Sequence, residues 1–130
     1  MVEKLNLEGK NSSLLIERES DSWFKCFLIT ANDKIFLGAE TKKYIIRQLL
    51  NCFEAISQNS SGVIDGYQVS WILTLSETHI VLYCAKDKNT FLLFWQDSRE
   101  RSFGRVGTIE IDETFSEKWV TALKAFEEAS

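Results

Sequence analysis

Apolar and polar residues alternate with a period of two over the first forty positions. Lys4-Leu5-Asn6-Leu7-Glu8 forms a short strand by this pattern, and Gly9-Lys10-Asn11 turns it. Ser13-Leu14-Leu15-Ile16-Glu17-Arg18 reads as a second strand, closed by Glu19-Ser20-Asp21-Ser22. Trp23 to Thr30 is aromatic and largely apolar, Ala31-Asn32-Asp33 reverses it, and Lys34-Ile35-Phe36-Leu37-Gly38 is a fourth strand. Four strands joined by short turns predict an antiparallel meander. The period then changes to 3.6. Thr41 caps a helix whose apolar stripe is Ile45, Ile46, Leu49, Leu50, Phe53 and Ile56, ended by Gln58-Asn59-Ser60-Ser61-Gly62.

The second half repeats the plan. Strands are expected over Gly66 to Ser76, Thr78 to Ala85, Thr90 to Gln96 and Val106 to Ile111, with the polar loop Asp97-Ser98-Arg99-Glu100-Arg101-Ser102 before the last. Asp112 or Thr114 caps a closing helix with Phe115, Trp119, Ala122, Leu123 and Phe126 on one side. Laying Glu40-Thr41 on Glu113-Thr114 brings Ile46, Leu49, Leu50 and Phe53 onto Trp119, Ala122, Leu123 and Phe126. The expected fold is therefore α+β, with two antiparallel four-stranded sheets each followed by a helix. It is a duplicated ββββα plan in a single domain, residues 1–130, with pseudo-repeats of about 1–60 and 62–130.

Composition narrows the function classes. The chain has 130 residues, 45% hydrophobic and 26% charged, which is ordinary for a globular domain. Its net charge of −4 argues against a bulk polycation that wraps duplex DNA but leaves room for a local basic patch. No apolar run has bilayer or signal-peptide length, so a soluble intracellular protein, cytoplasmic or nuclear, without membrane insertion is expected. Cys26, Cys52 and Cys84 form no CxxC pair and read as buried free thiols.

Catalytic constellations are poor. The one histidine, His79, has no nucleophile or carboxylate beside it, and the six glycines form no phosphate-cradling loop. No metal or cofactor is implied, and an enzyme is not expected. Aromatic and basic residues offer more. Trp23 and Phe27 share one face of their strand opposite Phe24, and Phe91 and Trp95 share one face of theirs opposite Phe94. Lys42, Lys43 and Arg47 lie on the first helix, and Arg99, Arg101 and Arg105 flank the loop before the last strand. Cations that track phosphates beside rings that stack on bases suit single-stranded nucleic acid. The alternative is that the two sheets pack face to face and bury the aromatics, while the cations are solvated surface.

Ile35-Phe36-Leu37-Gly38 running into Glu40-Thr41 and a helix, and Val106-Gly107-Thr108-Ile109-Glu110-Ile111 running into Glu113-Thr114 and a helix, resemble in element order the fold of the Whirly proteins and the Pur-alpha repeat. That resemblance implies two sheets packed crosswise, helices that hold the unit or its oligomer together, and exposed sheet faces that hold single-stranded DNA or RNA in transcription regulation. A second resemblance is carried by Ser116-Glu117-Lys118-Trp119-Val120-Thr121-Ala122-Leu123, which looks like the closing helix of a pleckstrin-homology barrel. A third reading is a protein-interaction or dimerisation module that uses the aromatic surface, either with a partner protein or as a homo-oligomer. The leading expectation is a non-enzymatic module binding single-stranded nucleic acid through Trp23, Phe27, Lys42, Lys43, Arg47, Phe91, Trp95, Arg99, Arg101 and Arg105.

Overall fold

A computed structural model describes residues 3–57, 62–64, 67–75, 78, 80–87, 90–97, 105–112 and 114–129, with side chains described outside 55–57, 62–64, 67–74, 84–87, 90, 105 and 116. Strands β1 (Lys4–Glu8), β2 (Ser13–Arg18), β3 (Trp23–Ile29) and β4 (Lys34–Thr41) form an antiparallel sheet in chain order, and helix α1 (Lys42–Ser57) follows. Strands β5 (Gly62–Ile64), β6 (Tyr67–Thr74), β7 (Ile80–Asp87), β8 (Thr90–Asp97) and β9 (Arg105–Ile111) form a second antiparallel meander, and helix α2 (Phe115–Glu128) follows. The α+β class and the sheet-then-helix order agree with the alternation read from the chain. The strand count does not. The second sheet has five strands, because three residues after α1 pair with β6 before the first long strand begins. The barrel alternative is corrected as well. Among the described residues the two ladders stay separate, and a sixteen-residue helix lies between them in the chain.

Both helices are amphipathic and face the core. In α1, Ile45, Ile46, Leu49 and Phe53 are buried. In α2 the stripe is Phe115, Trp119, Leu123 and Phe126. The helices pack on each other, with α1 also against β4 and β6 and α2 against β1. Phe53 meets Trp119 edge-on at 5.4 Å and Phe115 at 5.7 Å, so one aromatic cluster ties the two helices together. The Thr41 hydroxyl accepts from the Tyr44 N–H at 3.4 Å and caps α1 as its sequence position predicts. At α2 the Asp112 carboxylate accepts from the Thr114 N–H at 2.9 Å and from its hydroxyl, organising the start of the helix from two residues upstream.

Among the described residues the sheets meet on an inner side and at an edge. On the inner side, a Cβ built on Gly107 of β9 would lie 2.1 Å from Leu28 Cδ2 of β3, so the sheets approach where β9 carries no side chain. At the edge, the β1–β2 turn docks on β9. The Lys10 N–H donates to the Glu110 carbonyl at 2.8 Å, and the Ser12 hydroxyl donates to the Thr108 carbonyl at 2.6 Å. These bonds occupy carbonyls that an edge strand would otherwise offer to solvent. Among the described residues no helix is long and apolar enough to cross a membrane.

Candidate binding surface

The period-two pattern of β3 divides its residues cleanly. Phe24, Cys26 and Leu28 are buried, while Trp23, Lys25, Phe27 and Ile29 on the other face are partly exposed. Neighbouring strands extend that outer face in three rows. Glu8, Ser13, Ile29 and Lys34 form one row. Asn6, Leu15, Phe27 and Phe36 form the middle row, and Lys4, Glu17, Lys25 and Ala39 the third.

A bulge decides the middle row. Cys26 pairs with Gly38, yet Phe27 pairs with Phe36, so the ladder slips by one residue between them. Unbroken pairing would set Leu37 opposite Phe27 and turn Phe36 to the inner face. Gly38, at φ 147°, takes the backbone conformation that the slip requires. Phe36 thereby lies 5.7 Å from Phe27, ring centre to ring centre. Lys34 Nζ stands 4.4 Å from the centre of the Phe27 ring, and Lys25 Nζ stands 5.8 Å from that of Phe36. Each lysine also meets a carboxylate: Lys34 with Glu17 at 3.0 Å and Lys25 with Glu19 at 3.0 Å. The result is a partly exposed apolar centre ringed by balanced charge.

The expected site residues separate under this geometry. Trp23 and Phe27 lie on the outer face as the alternation requires. Phe91 and Trp95 do not reach a surface, which corrects the expectation of a second stacking pair. Phe91 packs on Phe115 at 4.8 Å, and Trp95 is buried, set between Leu82 and Gly107 in the ladder. Among the described residues the buried Trp95 indole N–H has no hydrogen-bond partner. Lys42 and Arg47 serve the helix pair. Lys42 Nζ lies 4.5 Å over the Phe126 ring and donates to the Ala129 carbonyl just past α2, while Arg47 Nε meets the Glu127 carboxylate at 3.1 Å. A cation there complements the partial negative charge at the end of α2. Lys43 is exposed near the Trp23 end of the sheet, since Thr41 pairs with Trp23. Arg105 lies on β9 opposite Gln96, and its side chain is not among those described. Arg99, Arg101 and His79 lie outside the described residues.

Sequence reasoning did not single out Lys25, Lys34, Leu15 and Phe36. Lys25 carried a usable signal. It stands between Trp23 and Phe27 on their shared face, where β8 has Leu93 between Phe91 and Trp95. A cation in the middle of an alternating face marks that face as the wet one.

A concavity of about 380 Å³ lies where the β1–β2 turn, β9 and α2 meet, lined by Glu8, Lys10, Glu110, Asp112, Lys118 and Trp119 among others. Its polar groups mostly answer one another. Lys10 Nζ is 3.6 Å from Glu110, the Trp119 indole N–H donates to the Glu8 carbonyl at 3.2 Å, and the Thr114 hydroxyl and amide hold the Asp112 carboxyl below its ordinary value, with Lys118 contributing less. The first two of these contacts join the two halves of the chain. No protein-family model, curated protein or solved structure matches this chain, so neither the Whirly nor the Pur-alpha resemblance gains support from relatives.

Proposed function

We propose that this chain is a non-enzymatic interaction module whose contact surface is the outer face of β1–β4, and that the face serves a protein partner. The observation that carries this reading is the pairing of Lys34 with Glu17 and of Lys25 with Glu19 around the Phe27–Phe36 pair. A surface that gathers phosphates depends on unpaired positive charge, whereas here a phosphate drawn to either lysine meets a carboxylate. A protein surface accommodates balanced charge around an apolar, aromatic centre. Single-stranded DNA or RNA is the second reading. It draws on the placement of Lys34 and Lys25 over phenyl rings, and on a sheet-then-helix order that occurs twice and resembles that of Whirly and Pur-alpha proteins.

Two measurements test the assignment. In fluorescence anisotropy, labelled single-stranded DNA and RNA are expected to show no binding at low salt. Micromolar binding that weakens with added salt would replace the protein reading with the nucleic-acid one. With the chain immobilised at high density and the bound material cross-linked before washing, so that a weak partner is kept, an extract of the native host is expected to leave a protein on it that Phe27→Glu loses. Identical capture by both chains would overturn the assignment to this face.

A further inference from the structure

We propose that the outer face of β1–β4 pairs with a second copy of itself, forming a two-fold homodimer through sheet-to-sheet packing. This rests on the reading of that face as a protein-contact surface and names the protein. The placement of charge on the ladder supports this pairing. Face-to-face packing of two identical sheets leaves a two-fold axis in the plane between them. An axis parallel to the strands and midway between β2 and β3 keeps each row in place and exchanges β1 with β4 and β2 with β3.

The register then dictates what meets. In the first row Glu8 faces the partner's Lys34. In the third, Glu17 faces the partner's Lys25, and at the centre Leu15 faces the partner's Phe27. By symmetry each of these contacts occurs twice, so opposite charges flank an apolar middle on both sides. The other in-plane axis, along the middle row, matches Glu8 with the partner's Lys4 but sets Glu17 against the partner's Ser13, Lys25 against the partner's Ile29 and Lys34 against the partner's Ala39, leaving three charges without a counterpart. The first axis thus matches four of the five charges in these rows, with Lys4 opposite the partner's Ala39, and the second matches two. The charge balance of the face also removes an obstacle, because two chains that each carry −4 would repel through any acidic surface.

Size sets the strength. Strands about 4.8 Å apart and rows about 7 Å apart give a face of roughly 15 by 15 Å. That is smaller than the roughly 800 Å² per partner of a standard stable interface, so the dimer is reversible and forms at high micromolar concentration.

Sedimentation velocity of the full chain, from low to several hundred micromolar, reads the equilibrium directly. The expected result is a concentration-dependent monomer–dimer boundary that shifts toward monomer with salt. Lys34→Glu sets like charges opposite each other twice and should weaken the dimer about tenfold or more, a loss of about 1.4 kcal/mol at tenfold. Adding Glu8→Lys to that variant should restore the dimer. Within one chain, residues 8 and 34 lie on opposite edges of the sheet, about 14 Å apart, so local repair does not account for the rescue. Phe27→Glu should abolish association with its folded circular-dichroism spectrum intact. A chain that stays monomeric throughout, or a dimer unmoved by both Lys34→Glu and Phe27→Glu, would overturn the proposal. A monomer that still captures another protein through Phe27 overturns self-pairing alone. A monomer that captures nothing overturns the protein-contact reading with it.

Discussion

Strands β3 and β8 carry nearly the same aromatic pattern and use it in opposite ways. Trp23 and Phe27 on β3, like Phe91 and Trp95 on β8, are two large rings four residues apart on one side of a strand. On β3 that side faces outward and is partly exposed, and the alternating residues Phe24, Cys26 and Leu28 face the core. On β8 the ring side is the core side, and Phe94 and Gln96 on its other face are buried as well. Phe94 lies stacked on Tyr83 at 5.5 Å with 13° between the planes. Alternation thus states which residues travel together. It does not state which group meets the other sheet. The residue between the rings carries that information, since burying Lys25 unpaired would cost several kcal/mol while Leu93 gains by burial.

The contrast predicts a graded set of effects in chemical denaturation. Trp95→Ala should be the most damaging change, at about 3–5 kcal/mol, because a fully buried ring leaves a cavity. Trp95→Phe should cost much less, since the indole N–H that it removes has no partner among the described residues. A loss below 1 kcal/mol for Trp95→Ala would mean that β8 does not face the core. Next comes Gly107→Ala, expected to cost about 1–3 kcal/mol by driving a methyl into the fully buried Leu28 where the sheets touch.

Within β3 itself, Cys26 and Phe27 should report the two sides. Burial pushes the Cys26 thiol up to about 12, from an ordinary 9.0. The folded chain therefore keeps a proton that the unfolded chain releases. Stability from the neutral thiol is fully present below pH 9.0 and declines as pH rises toward about 12. Cys26→Ala should flatten that part of the stability profile, and an unchanged profile would place the thiol in water. Phe27→Ala should have the smallest effect on folding, about 1 kcal/mol or less, because it removes half of a partly exposed cross-strand pair. Its larger consequence should be weaker self-association in sedimentation.

Helix positions and apolar stripes were legible because each follows from a local rule. The 3.6-residue spacing of Ile45, Ile46, Leu49 and Phe53 predicts α1, and Thr41 marks where it starts. The strands of the first sheet were legible for the same reason, although β4 continues to Thr41, three residues past the expected stop at Gly38. The three residues of β5 were not legible. So short a segment carries no period of its own and becomes a strand only because β6 offers a partner.

The candidate surface divides along the same line. By itself the sequence determined that Trp23 shares a face with Phe27, that Phe91 shares one with Trp95, and that Lys42, Lys43 and Arg47 sit on one helix. Strand and helix geometry enforces these relations residue by residue. Tertiary structure alone decided that β8 turns its rings inward and that Lys42 and Arg47 reach across to α2. It also decided that Phe36 comes to lie beside Phe27. Each of those outcomes depends on contacts between segments distant in the chain. The last also depends on a one-residue slip at Gly38, which reverses the face of every β4 residue on one side of it relative to unbroken pairing.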